Sequence, residues 1–185
     1  MATPTTLPAS FVSGAVLEAA QLNNLRGAFR VLQVVSAVKT DTFTTTSTTY
    51  TDVTGLSVSI TPSATSSKVL IIAQIAVGNV NGGANGFFQL TGGNSGTYIG
   101  DAASNRVRSV FGGYSSANQG EVLSSFSVVY LDSPATTSAT TYKVQGRVGT
   151  IGPTPTLYVN RSQVDADTNA HGRGASSITV LEISA

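Results

Sequence analysis

Cysteine is absent from the 185-residue sequence, and charged residues make up only 10% of it. The absence of cysteine excludes disulfides, thiolate metal sites and thiol catalysis. Charged residues are scarce because an average globular chain carries about 25% of them. Ten basic and nine acidic residues leave a net charge of +1, with no basic patch or stripe. We therefore expect no nucleic acid partner.

Long apolar segments are also missing. No run reaches the ~18 residues that a membrane-spanning helix needs, so we expect no membrane partner. The segment Met1–Pro8 lacks the basic region and the apolar block of a secretory signal. If the protein works outside a cell, we expect it to leave by another route, such as release by lysis.

Sequence motifs for catalysis are not present. The chain has no Gly-x-Ser-x-Gly nucleophile elbow, no His-Glu-x-x-His and no Gly-rich phosphate loop. The single histidine, His171, stands in a Gly-rich turn with no acidic partner beside it, which favours a solvent-facing residue. We expect a non-catalytic protein that uses no cofactor.

Three weaker patterns leave alternatives open. Asp165–Asn169 resembles the start of a calcium loop but lacks its later glycine and glutamate, so we expect a polar loop without metal, although Asp165 and Asp167 could take a cation. Asn160–Ser162 matches a glycosylation acceptor, which without a secretory signal we interpret as chance. Paired carboxylates could hydrolyse glycans, but spacing in sequence does not place any pair. The nine acids are Glu18, Asp41, Asp52, Asp101, Glu121, Asp132, Asp165, Asp167 and Glu182.

Aromatic residues near the Gly, Asn and Ser-rich loops form a further pattern. Tyr98, Phe111 and Tyr114 lie in or beside such loops, whose composition is typical of adaptable recognition surfaces. We expect these aromatic side chains to be part of the core. Contact with a sugar or a receptor is the alternative interpretation.

The first 30 residues differ from the rest of the chain. Pro4 and Pro8 favour an extended arm over residues 1–17, and residues 18–27 predict one short helix that ends near Gly27. A helix of this length is marginal alone and must dock to persist. We expect the arm to lie against a neighbouring subunit, with a frayed terminus as the alternative. The predicted partner-binding residues are Phe11, Val12, Val16, Leu17, Leu22, Leu25 and Phe29.

Strands and turns are predicted for the remainder, residues 31–185. Leu56, Val58 and Ile60 alternate with polar residues, as in a half-buried strand, whereas Val69–Val77 is nearly all apolar, as in a central strand covered on both faces. About nine or ten short strands separated by turn signals predict a single all-β domain, a β-sandwich of jelly-roll type. The other predicted strands cover 31–38, 42–52, 87–91, 97–100, 107–111, 122–131, 142–148, 156–160 and 177–183.

Five stretches are recognisable as a group: Leu7–Gly14, Ala19–Val35, Tyr50–Ser63, Ser66–Leu70 and Ser177–Ile183. They resemble small virion surface proteins of tailed bacteriophages, particularly those of aquatic phages and cyanophages. The resemblance implies a homotrimeric β-sandwich on the virion. Glu18 stands where similar proteins often have threonine, which would cap the helix better.

Two roles are compatible with this resemblance. The first is a head decoration, or cement, protein on the outer capsid surface, whose arms bind neighbouring subunits and whose partners are its own copies and the major capsid protein. The absence of heptads or other shaft repeats favours this role over a fibre. The second is the tip of a tail fibre, which recognises the host and binds a host surface glycan. A glycan hydrolase is the third and weakest hypothesis.

Overall fold

A computed structural model describes residue 14 and residues 31–80, 84–93, 97–113, 120–150 and 154–184. The described residues form eleven strands and no helix. The first six are β1 (Val31–Lys39), β2 (Phe43–Thr45), β3 (Thr51–Ile60), β4 (Lys68–Gly78), β5 (Gly86–Thr91) and β6 (Thr97–Tyr98). The other five are β7 (Phe111–Gly113), β8 (Leu123–Asp132), β9 (Thr140–Val148), β10 (Leu157–Val159) and β11 (Ser176–Ile183).

The strands form two antiparallel sheets that pack face to face. Sheet A follows the order β1-β11-β4-β10-β2, with β8 paired to the other side of β4. Sheet B follows the order β3-β9-β5-β6, with β7 also paired to β5. This arrangement confirms the predicted all-β sandwich. The predicted N-terminal helix over residues 18–27 lies outside the described residues.

The core lies between the two sheets, and the side chains on one side of each strand point into it. The inward side chains of β4, Val69, Ile71 and Ile75, are fully buried, as are Ile178 and Val180 of β11. Their period-2 spacing places every second residue of each strand in the core and the residues between them on the outer face. The outer face of sheet A is thus set by the same alternation that builds the core.

Stacked aromatic rings close the core beside β8. Phe111 stacks on Phe88 of sheet B at 4.8 Å and on Phe126 of sheet A at 5.1 Å, so it connects the two sheets. Tyr98 stacks on Tyr130 of β8 at 4.3 Å. Phe111 packs against the core, as expected from the sequence, whereas the expectation is wrong for Tyr98, which is 38% exposed. Tyr114 lies outside the described residues.

Glu182 is fully buried on β11, where its carboxylate connects β1 with the loop between β3 and β4. Its Oε1 accepts hydrogen bonds of 2.7 Å from the Ser63 backbone N–H and from the hydroxyls of Ser63 and Ser67. Its Oε2 accepts one of 2.6 Å from the Gln33 amide on β1. Burial raises the pKa of this carboxyl, but the donated hydrogen bonds outweigh burial and lower the pKa to about 2.

Asn160 connects the opposite ends of the same strands. Its backbone has φ of 63°, a left-handed conformation that asparagine tolerates better than most residues. The buried side-chain amide donates to the carbonyls of Lys39 and Asp41, and its oxygen accepts from the Ser176 hydroxyl at 2.6 Å. Asn160 thereby fixes the end of β1 to the start of β11.

The strand predictions agree with the structure in position but differ in three details. The run 42–52, expected as a strand pair, holds the short strand β2 and the start of β3. The strand expected at 107–111 begins only at Phe111. The expectation that β4 is covered on both faces is wrong at Ile72, which is 41% exposed, because no described element lies over the outer face of sheet A there.

Candidate assembly surface

The outer face of sheet A carries exposed apolar side chains on strands β1, β4 and β8. Val34 is 57% exposed, Val129 is 59% exposed and Leu131 is 54% exposed. Single exposed apolar residues are ordinary, whereas a contiguous group of them marks a surface that binds a partner. Whether these residues touch one another therefore decides how the face is interpreted.

The strand registers place these side chains next to one another. Val34 pairs with Leu181, Leu181 pairs with Leu70, and Leu70 pairs with Leu131. Four apolar side chains therefore form one row across four neighbouring strands. In the next row, Ile72 of β4 pairs with Val129 of β8, two residues further along each strand. We call these six residues the apolar face: Val34, Leu70, Ile72, Val129, Leu131 and Leu181.

Polar residues border the apolar face. Beside Ile72, on β11 and β1, the hydroxyls of Thr179 and Ser36 are hydrogen-bonded to each other at 2.9 Å. The following row contains Gln74 and Ser127 on β4 and β8. On the other side of the face, Lys68 of β4 pairs with Ile183 of β11 and adds one charge to the border. An apolar centre with a polar border is the usual composition of a protein–protein interface.

Strand β8 adds an open sheet edge to the same surface. Among the described strands, it pairs only with β4, in an uninterrupted register from Leu123 to Asp132. Exposed edges are usually protected by lysine, proline, a bulge or a short strand. This ten-residue strand contains no lysine or proline, and its one charged residue, Asp132, is fully buried. Within the described part of the chain, this edge therefore has no strand paired to it.

The apolar face lies on a rigid support. The inward neighbours of its residues, Ile71, Val128 and Val180, are buried in the core, and Glu182 holds β11 beside β1. The buried Asp132 at the end of β8 accepts a hydrogen bond of 2.7 Å from the Tyr142 hydroxyl of sheet B. Burial and this carboxylate raise the pKa of Tyr142, so the phenol stays protonated. A preorganised face of this kind loses little entropy when it binds.

The apolar face was not predicted from the sequence, although a signal for it was present. β4 is apolar at nearly every position, and β8 and β11 carry apolar residues on both alternating sides. A sandwich covers only one side of each sheet, so strands that are apolar on both sides leave one set uncovered. The partner-binding residues that the sequence did predict, from Phe11 to Phe29, lie outside the described residues.

In the loop at residues 165–173, ion pairs neutralise the carboxylate of Asp165. Asp165 contacts Arg161 at 3.2 Å and Arg173 at 2.7 Å, so two guanidinium groups share its carboxylate. Within the described residues, no group of three or more His, Asp or Glu could hold a metal ion. The loop lines an open depression of about 330 Å³ together with Asp167, Thr168 and His171.

His171 is held by its own loop. Its Nδ1 lies 3.0 Å from both the Thr168 hydroxyl and the Ala166 carbonyl.

Asn160, the residue that would carry a glycan, is fully buried, and its side-chain amide donates hydrogen bonds to two carbonyls. A glycan therefore has no access to Asn160 in the folded chain.

The acidic residues are distributed over several environments. Lys39 is hydrogen-bonded to Asp41 and lowers the pKa of that carboxyl, and Lys143 does the same for Asp52, at 2.8 Å in each pair. Glu182, by contrast, occupies a fully buried strand position.

Comparison with known proteins found no protein-family model that matches the chain and no matching curated protein. In the part of the chain that the structure describes, no helix has the length and apolar character to cross a membrane.

Proposed function

We propose that this protein is a structural component of a bacteriophage virion, a homotrimer that decorates and reinforces the outer capsid surface. The observation that carries the proposal is the apolar face, where Val129 and Leu131 remain more than half exposed. An exposed apolar surface of this kind often marks the site where another protein binds. The resemblance of Leu7–Gly14 and the other similar stretches to phage virion proteins supplies the context.

The composition supports a permanent assembly. Only 10% of the residues are charged, and obligate interfaces are more apolar than transient ones. A closed homo-oligomer also limits the number of exposed sheet edges, and β8 carries such an edge. A trimer in which each copy uses the same surface would cover the apolar face and the edge together.

Two measurements test the proposal directly. The solution mass of the purified chain should be three times the 18.9 kDa of one copy. Gold-labelled antibody against the chain should label virion heads. A stable monomer, or label confined to the tail, would overturn the trimeric decoration role.

Removal of the arm gives a further test. Residues 1–17 would span roughly 55 Å when extended, enough to reach a neighbouring subunit. A chain without residues 1–17 should keep its fold and lose its retention on purified capsids. Unchanged occupancy would contradict the role proposed for the arm.

The depression at residues 165–173 favours a second candidate, host recognition at a tail fibre tip. Asp167, Thr168, His171 and Arg173 line it and offer hydrogen-bonding groups suited to glycan hydroxyls. Label at the tail tip, with unlabelled heads, would favour this candidate. Binding of host surface polysaccharide that is lost in Thr168→Ala and Arg173→Ala would support it further.

A further inference from the structure

We infer that the apolar face of each copy is the binding site for residues 15–30 of a neighbouring copy, so that the trimer forms by exchange of N-terminal segments. This inference rests on the proposed function, because it names the part of the partner that covers the face. It depends on three features: the size of the face, the position where the segment joins the sheet, and the distance to β8.

The apolar face is too small for a flat contact between two sandwiches. Four strands are about 19 Å wide, and the eight residues from Val31 to Val38 extend about 24 Å, so the whole outer face of these strands covers roughly 450 Å², and the apolar face is only part of it. A standard interface covers about 800 Å² on each partner. A helix about 10 Å across and about 15 Å long, the dimensions of ten residues, fits within this area.

The segment that precedes β1 has the composition to fill the site. Leu22 and Leu25 follow the spacing of one helix face, and the helix predicted over residues 18–27 is too short to persist without docking. The segment joins the sheet at Val31, which is 45% exposed, followed by Leu32, which is 41% exposed. The segment therefore enters sheet A at β1, on the side opposite to β8, and lies next to the apolar face.

The reach of the chain favours a neighbouring copy as the donor. Residues 28–30, which follow Gly27, extend about 10 Å, and a packed helix already stands about 10 Å above a sheet. A helix aligned with the strands of its own sheet would therefore lie over β1 and β11. Val129 and Leu131 lie on β8, three strands from β1 and thus about 14 Å across the sheet. The segment of another copy can approach β8 from its open edge.

Exchange of segments also lets the contact extend beyond the apolar face. Each copy would donate one segment and accept another, so each subunit pair would bury the apolar face and the apolar side of the segment. This head-to-tail contact closes into a ring and agrees with a cyclic trimer. The arm residues Phe11, Val12 and Val16 would extend the contact beyond the helix.

Disulfide trapping tests the inference, because the natural chain contains no cysteine and any introduced pair is unique. Leu22→Cys and Val129→Cys would be made in two differently tagged proteins that are co-expressed and then oxidised. The expected result is a covalent heterodimer that carries both tags. It should be the most abundant of the cross-linked products. As a matched control, Ser57→Cys on the exposed outer face of sheet B should not cross-link to Leu22→Cys.

The possible failures can be distinguished. A cross-link within one chain of the Leu22→Cys and Val129→Cys double variant, without the heterodimer, would show that the segment covers its own sheet and would overturn the exchange. A trimeric mass without any cross-link would also overturn the inference while leaving the proposed function intact. A monomeric mass for the unmodified chain would overturn both.

Discussion

The carboxylate of Glu182 accepts a hydrogen bond of 2.7 Å from the hydroxyl of Ser67, in the interior of the sandwich. The donors to this carboxylate are the Gln33 amide, the Ser63 backbone N–H and the hydroxyls of Ser63 and Ser67, so uncharged groups keep it ionised. Its pKa is about 2 in the folded chain, against an ordinary value of 4.5. The structure therefore predicts an acid-sensitive contribution to folding stability.

The folded pKa of Glu182 is depressed, so its contribution is present above pH 4.5 and is lost as the pH falls towards 2. The full difference corresponds to about 3 kcal/mol, of which about 2 kcal/mol is lost at pH 3. Urea unfolding at pH 7 and pH 3 measures this loss. Glu182→Gln should be less stable at pH 7 and should have a smaller pH dependence; an unchanged pH dependence would contradict the assignment.

Asn160 provides a test of backbone conformation. Asn160→Ala removes the hydrogen bonds to Lys39, Asp41 and Ser176 and places alanine at φ of 63°, so we expect a loss of about 3 kcal/mol. Asn160→Gly removes the same hydrogen bonds but relieves the strain, so it should lose about 1 kcal/mol less. Denaturant unfolding of both variants checks the difference. Equal losses of unfolding free energy in the two variants would mean that the left-handed backbone conformation at this position contributes nothing to the cost of the alanine substitution.

The hydroxyl of Tyr142 is predicted to stabilise the junction between the two sheets. Tyr142→Phe removes the hydrogen bond to the buried carboxylate of Asp132, so we expect a loss of about 1–3 kcal/mol in unfolding free energy. Tyr158→Phe is the matched control, because Tyr158 stacks with Arg161 through its ring and phenylalanine retains that contact. The control should change stability by less than about 0.5 kcal/mol. Similar losses in both variants would contradict the role of the Asp132 hydrogen bond.

The apolar face is predicted to control the oligomeric state. Val129→Glu places a charge at an exposed position of this face, so burying the face against another copy becomes unfavourable. Light scattering should show a shift from the trimer towards the 18.9 kDa monomer, while the unfolding free energy of the monomer changes by less than about 1 kcal/mol. Ser57→Glu, on the outer face of sheet B, should remain trimeric. Dissociation in both variants would show that added charge, and not this face, is responsible.

The alternation of apolar and polar residues was sufficient to predict most strands and the sandwich. In β3, Leu56, Val58 and Ile60 are buried and the serines between them are exposed, as the period-2 pattern indicates. The turn after β5 requires glycine for local reasons. Gly92 and Gly93 have φ of 124° and 69°, and added side chains at both would strike neighbouring atoms. Local sequence determines these features, so sequence reasoning finds them.

The interior carboxylate and the apolar face were missed because both depend on contacts between distant segments. Glu182 follows the same alternation as Ile178 and Val180, which marks it as inward, but its donors Ser63 and Ser67 are more than 110 residues away. The apolar face exists only because β1, β11, β4 and β8 lie side by side in a particular register. Sequence order alone does not give that register.

The open edge of β8 has a consequence for how the protein can be stored and handled. Among the described strands, the edge of β8 that faces away from β4 has no strand partner, and it lies beside exposed valine and leucine, with little net charge to keep copies apart. The same features that favour a correct partner also favour irregular self-pairing when the solution is concentrated. A chain of this kind is safest at low concentration, or once its partners already surround it.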